Sequence, residues 1–270
     1  LEAWHQFKNA EPKGEGEPVW PSAGGDSMRG SLLGPEFSES EIRRALEAHG
    51  AVFERLDETA MLERAAGLLA DGAMLGWFQG RMEFGPRSLG GRSILGDARL
   101  ASMQSAINQK VKFRESFRPF APAVLEERAG EYFDLTAESP YMLLVADVAK
   151  SQRLARPADE SAGFARLKHA RSTLPAVTHV DGSARVQTVG RERHPFFWRL
   201  LRQFEQRTGC GVLLNTSFNV RGEPVVCTPD DAYRCFVNTA IDWLAIGPFL
   251  LSRERQPVEK PRPTFDPIPD

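Results

Sequence analysis

The chemistry this sequence offers is carried by basic side chains set among glycines. Between positions 81 and 118 lie Arg81, Arg87, Arg92, Arg99, Lys110, Lys112, Arg114 and Arg118, opposed only by Glu83, Asp97 and Glu115. The stretch is strongly cationic in a chain whose formal net charge is -2. Arginine forks grip phosphate or carboxylate oxygens through paired hydrogen bonds, and glycine lets backbone approach a ligand closely. The combination predicts a site for a small polyanion, most simply a nucleotide or an acyl phosphate. Gly80 and Gly85 have the spacing of a phosphate-binding P-loop, but Pro86 and Arg87 stand where that loop needs Lys and then Ser or Thr. Proline also removes an N–H donor from the cradle. Recognition is therefore expected through the side chains of Arg87 and Arg92, with Ser88 and Ser93 adding hydroxyls. The competing arrangement ties an arginine into a structural bridge to Glu83 or Asp97, but three carboxylates cannot pair eight cations.

Further along, Lys112, Arg114 and Arg118 alternate so that, on a strand, all three share one face. Lysine is a compact point charge suited to a phosphate or a developing negative charge, and arginine gives a fixed planar grip. A solvated strand face is the plainer alternative. His179 with Asp181 and Arg185 suggests acid–base chemistry only weakly, since no nucleophile stands at fixed spacing, and a satisfied structural histidine is preferred. Asn215, Ser217 and Asn219 follow an apolar run, where small polar groups at a strand end face a ligand or close an Asx or Ser/Thr turn. Ser217 has no evident base and is not read as a nucleophile.

Regular elements must hold these groups in place. Ser38 with Glu41 forms a capping box for a helix that stops at Gly50, and Asp57 starts a second helix that ends at Gly72. The apolar run 73–78 reads as a strand leading into the Arg81 loop. Positions 101–111 read as a helix, and Pro119 and Pro122 force an extended passage into Ala123. A core strand is expected over 142–148, a mobile surface loop over 150–173, and strands over 175–180 and 185–189 joined across Asp181-Gly182-Ser183. An amphipathic helix over 195–207, a buried strand from Val212, a helix opening at Thr228-Pro229 and a closing strand region over 243–251 complete the pattern. Strands interleaved with helices predict an α/β or α+β fold with a mixed sheet.

With 270 residues, 41% hydrophobic and 26% charged, the composition is that of a globular protein able to bury one large core. Near-neutral charge argues against wholesale coating of nucleic acid. Cys210, Cys227 and Cys235 lack metal-type or redox spacing and read as reduced, structural residues of a cytoplasmic protein. No apolar run approaches a membrane span. The first residue is Leu1, as expected for a piece of a longer polypeptide.

Four motifs, in order, carry a family resemblance: Glu83-Phe-Gly-Pro-Arg-Ser-Leu-Gly-Gly-Arg-Ser-Ile, Lys112-Phe-Arg-Glu-Ser-Phe-Arg-Pro-Phe-Ala-Pro, Thr178-His-Val-Asp-Gly-Ser-Ala-Arg-Val-Gln-Thr-Val and Leu214-Asn-Thr-Ser-Phe-Asn. Over residues 32–252 the chain resembles the C-terminal domain of the NodU/CmcH-type O-carbamoyltransferases. The resemblance implies a YrdC-like fold, a twisted mixed sheet flanked by helices in a single main domain (32–255). Residues 1–31 would be a flexible remnant of a preceding Kae1-like domain, which carries a metal, and 256–270 a proline-rich tail. It further implies that carbamoyl phosphate and ATP, with Mg2+ riding on the nucleotide, react here to give a carbamoyl adenylate. The Kae1-like domain would then pass the carbamoyl group to an acceptor hydroxyl, for example on a sugar or an antibiotic. Arg87, Arg92 and Lys112 are the expected catalytic groups. They would line the substrate site with Ser88, Arg114, Arg118, Arg185, Asn215, Ser217 and Asn219, and no protein-bound metal is expected. An RNA-binding module and a non-catalytic carbamoyl-phosphate or nucleotide sensor are the rival readings.

Overall fold

The structure, a computed structural model, describes residues 28–155 and 170–257. Its spine is a nine-stranded mixed sheet built from β1 (Glu54–Arg55), β2 (Leu75–Phe78), β3 (Arg92–Asp97), β4 (Ala121–Leu125), β5 (Leu144–Asp147), β6 (Ser183–Val189), β7 (Val212–Ser217), β8 (Trp243–Ile246) and β9 (Phe249–Ser252). The spatial order is β1-β9-β8-β2-β3-β7-β4-β6-β5. β2 runs parallel to β8 and β4 parallel to β6, and the other neighbours are antiparallel. The central strands are buried on both faces, which is why β2 (LGWF) and β4 (APAVL) read as unbroken apolar runs rather than alternating ones.

Helices flank the sheet where the sequence places their caps. The helix Glu39–Ala48 is closed by a capping box: Ser38 Oγ accepts from the Glu41 amide, and the Glu41 carboxylate accepts from the Ser38 amide. Asp57 caps Glu58–Ala70, and Thr228 with Asp231 forms a second capping box on Pro229–Asn238. The helix Pro195–Thr208 starts on proline, ends on left-handed Gly209, and packs on Glu58–Ala70 with Phe197, Leu200, Leu201 and Phe204 buried.

Several expectations are corrected. Residues 175–180 make turns rather than a strand, so only β6 follows the Asp181-Gly182-Ser183 turn. It pairs with β5 on one side and β4 on the other. The run 142–148 yields an edge strand, not a core one. Leu144 and Val145 are exposed because nothing covers that margin among the described residues. Residues 112–118 are not a strand: Phe113 sits at φ 47, and the chain turns back on itself before Pro119. The flexible segment expected over 1–31 and the proline-rich tail over 256–270 lie mostly outside the described residues, as does much of the loop expected over 150–173. No described helix is long and apolar enough to cross a membrane.

Candidate functional site

Strand register fixes the floor of the site. Side chains alternate across a sheet, so Asn215 and Ser217 of β7 share one face, and so do Arg185 and Gln187 of β6. Asn215 lies opposite Ala121 of β4, and Arg185 opposite Val145 of β5. Above this floor the chain leaves β2 and loops through residues 79–91 before entering β3. Glu83 organises the loop from within. Its buried carboxylate accepts the amides of Leu89 and Gly91, both at 2.6 Å, and that of Arg92 at 3.2 Å. A side chain at Gly91 would lie 2.6 Å from the Arg81 carbonyl, and one at Gly90 would run into the Phe197 ring. Only glycine lets the loop close this tightly.

Loop and floor enclose a cavity of about 450 Å³. Of the residues expected at the site, Arg87, Ser88, Arg114, Arg118, Arg185, Asn215 and Ser217 line it. They come from the loop after β2, the turn after the helix Ala101–Lys110, and strands β6 and β7. Among the described residues, none of Arg87, Arg114, Arg118 and Arg185 forms an ion pair with a carboxylate, whereas Arg81 meets Glu36 and Arg99 meets Asp97 outside the cavity. Burial lowers the Arg185 pKa, and the charge of Arg87 lowers it further. Arg114 falls to about 10 through burial, with Arg118 the next cause. These cations converge without neutralisation, a field that favours a multiply charged anion.

The turn bearing Arg114 and Arg118 is held by Asn108, a fully buried residue to which no role falls from sequence. Its Nδ2 donates to the carbonyls of Ser116 and Arg118, and its Oδ1 accepts from Arg114 Nε at 2.7 Å.

Lys112 reaches the cavity at one remove. Its Nζ lies among Ser217 O, Ser217 Oγ, Asn219 O and Asn219 Oδ1 at 2.5, 3.2, 2.9 and 2.7 Å. Burial lowers its pKa to about 7. Asn219 in turn accepts from Ser217 Oγ and donates to the Glu223 carbonyl, so it fixes the end of β7 rather than lining the cavity. Arg92 is not in the cavity either. Fully buried, it donates to the carbonyls of Pro35, Gln79, Gly80 and Gly91, and its guanidinium stands 3.6 Å from the centroid of the Phe78 ring. It joins the loop to β3 from behind. Ser93 is likewise internal, its Oγ accepting from the Gly90 amide.

Other residues line the cavity beside those the sequence points to. Val145 and Met142 close one side, with Met142 Sδ 3.8 Å from Arg185 Nη2 and its own backbone at φ 55. His179 lines the cavity too. Ser183 Oγ donates to Asp181 Oδ1 at 2.7 Å and therefore accepts from His179 Nδ1 at 3.1 Å, which leaves Nε2 as the unprotonated nitrogen. The ring is thus both satisfied and on the cavity. Burial lowers its pKa, which favours the neutral form. Among the described residues no group of three or more His, Cys, Asp or Glu side chains could hold a metal ion. Cys210, Cys227 and Cys235 are all free thiols.

Comparison with known proteins gives a consistent picture. The carbamoyltransferase C-terminus family matches residues 66–253. Uncharacterized protein sll1178 of Synechocystis is 52% identical over 261 residues, which cover 95% of this chain and 41% of that protein. Nodulation protein NolNO of Sinorhizobium fredii is 42% identical over 86% of this chain and 32% of its own length. The 3'-hydroxymethylcephem-O-carbamoyltransferase of Amycolatopsis lactamdurans is 37% identical over 68% of this chain and 32% of its own length. The chain thus spans about two fifths or less of the length of these relatives.

Proposed function

Because the chain belongs to the carbamoyltransferase C-terminus family, we propose that its cavity binds carbamoyl phosphate together with ATP and activates the carbamoyl group as carbamoyl adenylate. The observation that carries this reading is the convergence of Arg87, Arg114, Arg118 and Arg185 on one hollow with no carboxylate partner among the described residues. Two phosphate-bearing substrates repel each other. Fixed guanidinium groups offset that repulsion and stabilise the charge that develops as phosphorus–oxygen bonds change. The reaction balances when water divides carbamoyl phosphate into carbamate and inorganic phosphate. A carbamate oxygen then attacks the α-phosphorus of ATP, forming the mixed anhydride and expelling pyrophosphate.

Lys112 acts through Ser217, presenting that hydroxyl at the floor while its own charge stays behind the wall. Phe84, Phe113 and Phe117, on the same loops as the arginines, are exposed and offer faces for a nucleobase. Magnesium would enter with the nucleotide, held by phosphates and water, since the cavity lining supplies cations and no carboxylate. Transfer of the activated carbamoyl to an acceptor hydroxyl falls to the longer protein of which this family forms one part.

The test is carbamoyl phosphate-dependent exchange of labelled pyrophosphate into ATP by the intact protein. Arg87→Ala and Arg118→Ala are each expected to lower exchange by on the order of a hundredfold. Unchanged exchange in both variants would remove the cavity from this chemistry.

A further inference from the structure

One acceptor in this cavity of donors has nothing to accept from. Gln187 Nε2 donates to the Leu89 carbonyl at 2.7 Å. That contact leaves Gln187 Oε1 to receive Asn215 Nδ2 at 2.8 Å. The same Asn215 nitrogen donates to the Ser88 carbonyl at 3.1 Å. Turning either amide over would set oxygen against oxygen, so two backbone carbonyls dictate both orientations. Asn215 Oδ1 therefore points away from this chain of bonds as an acceptor, and it has no hydrogen-bond partner. The residue is only 1% exposed, so bulk water does not satisfy it. A buried amide oxygen left in that state is destabilising unless something in the site donates to it. Ser88 Oγ and Arg185 Nε are buried and unpartnered in the same way, and all three residues line the cavity.

The residues that carry these orphaned atoms divide the cavity lining by chemistry. The arginines offer only donors and suit phosphate oxygens, whereas Asn215 Oδ1 can do nothing but accept. A ligand that satisfies both must be anionic at one end and carry an N–H or O–H group at the other. Resting on the reading of the cavity given above, we propose that Asn215, held in orientation by Gln187, accepts the amide N–H of the carbamoyl group. Ser88 Oγ makes a second contact to the same group. This pair of contacts selects carbamoyl phosphate over acyl phosphates of equal size. Acetyl phosphate places a methyl group where carbamoyl phosphate has NH2, and a site built to bond an N–H rejects the analogue that lacks it. Gln187 is a positioning residue, since it acts on the ligand only by holding the Asn215 amide.

Two stable probes separate the claims. Phosphonoacetamide and acetonylphosphonate share a phosphonate and a carbonyl and differ only in NH2 against CH3. Their affinities, with that of inorganic phosphate, are measured by calorimetry on the intact protein. The wild type should prefer the amide on the order of tenfold. Asn215→Ala should bring the ratio close to one by weakening the amide alone. Gln187→Leu should compress the ratio as well, an effect that a purely structural role would not confine to one probe. Equal binding of the two probes by the wild type overturns the proposal and leaves the phosphate-binding reading intact. Equal weakening of both probes in Asn215→Ala also overturns it. Failure of the wild type to bind any of the three anions removes both. The wild-type ratio decides the matter even if a variant does not fold.

Discussion

Arg87 and Arg92 occupy one glycine-rich stretch and do opposite things. Arg92 is sealed from water, donates to four backbone carbonyls and lies against the Phe78 ring; burial lowers its pKa to about 10. Arg87 is exposed on the cavity wall, with Arg185 close enough to feel its charge. One guanidinium substitutes protein oxygens for its hydration shell and becomes part of the fold. The other keeps its hydrogen-bonding capacity open for something that arrives later. The difference lies in the surrounding carbonyls: where the chain supplies enough of them, a cation is structural, and where it supplies none, the cation belongs to the site.

The sharpest way to break this contrast is to remove the buried member. Arg92→Ala leaves the carbonyls of Pro35, Gln79, Gly80 and Gly91 short of a donor, and is expected to cost about 3–5 kcal/mol in urea unfolding. A loss under about 1 kcal/mol would erase the distinction.

A second test concerns a basic ring with one nitrogen buried and unpartnered. His194 is half-buried, but its Nε2 is shut away without a hydrogen-bond partner beside Phe197, and burial lowers the His194 pKa to about 4 from an ordinary 6.5. The unfolded chain therefore takes up its proton first as pH falls. Stability from this group is complete above pH 6.5, declines between 6.5 and 4, and levels off below. The decline should be on the order of 3 kcal/mol in unfolding curves measured across that window, and His194→Phe should flatten it. An identical pH profile in the variant would show the ring to be hydrated.

The smallest stability effect is expected at the cavity. Arg185→Ala relieves repulsion from Arg87 and should leave stability within about 1 kcal/mol of wild type. The same change should weaken pyrophosphate binding by about tenfold or more in calorimetry. If it instead unfolds the protein, Arg185 belongs with Arg92 and the contrast fails.

Much of the frame was legible in the chain. Capping boxes at Ser38 and Thr228, the amphipathic face of 195–207 and the apolar runs of β2 and β7 all encode local structure through local chemistry. The cluster of cations was legible as composition, but which of them face the cavity was not. Arg87 and Arg92 are the same residue type in the same kind of sequence, and only the three-dimensional supply of carbonyls separates them. Residues 112–118 alternate as a strand would, yet Phe113 at φ 47 breaks the extended backbone, a conformation that no residue in that stretch announces. Asn108 and Met142 enter through tertiary placement alone. For Gln187 a signal did exist: two positions after Arg185 on one strand, it had to share that residue's face.

Strand β7 comes late in the chain and yet lies between β3 and β4, joined to both. Before residues 212–217 exist, β3 and β4 have no common neighbour, and the loops that follow β2 and precede β4 belong to separate half-sheets. A growing polypeptide thus carries Arg87 long before β7 joins its half of the sheet to the half beside Arg114, Arg118 and Arg185. Insertion of one strand unites the halves and brings Arg87 to the other three arginines, a long-range closure of the kind that slows folding. The four-arginine hollow is therefore among the last features of the fold to be completed.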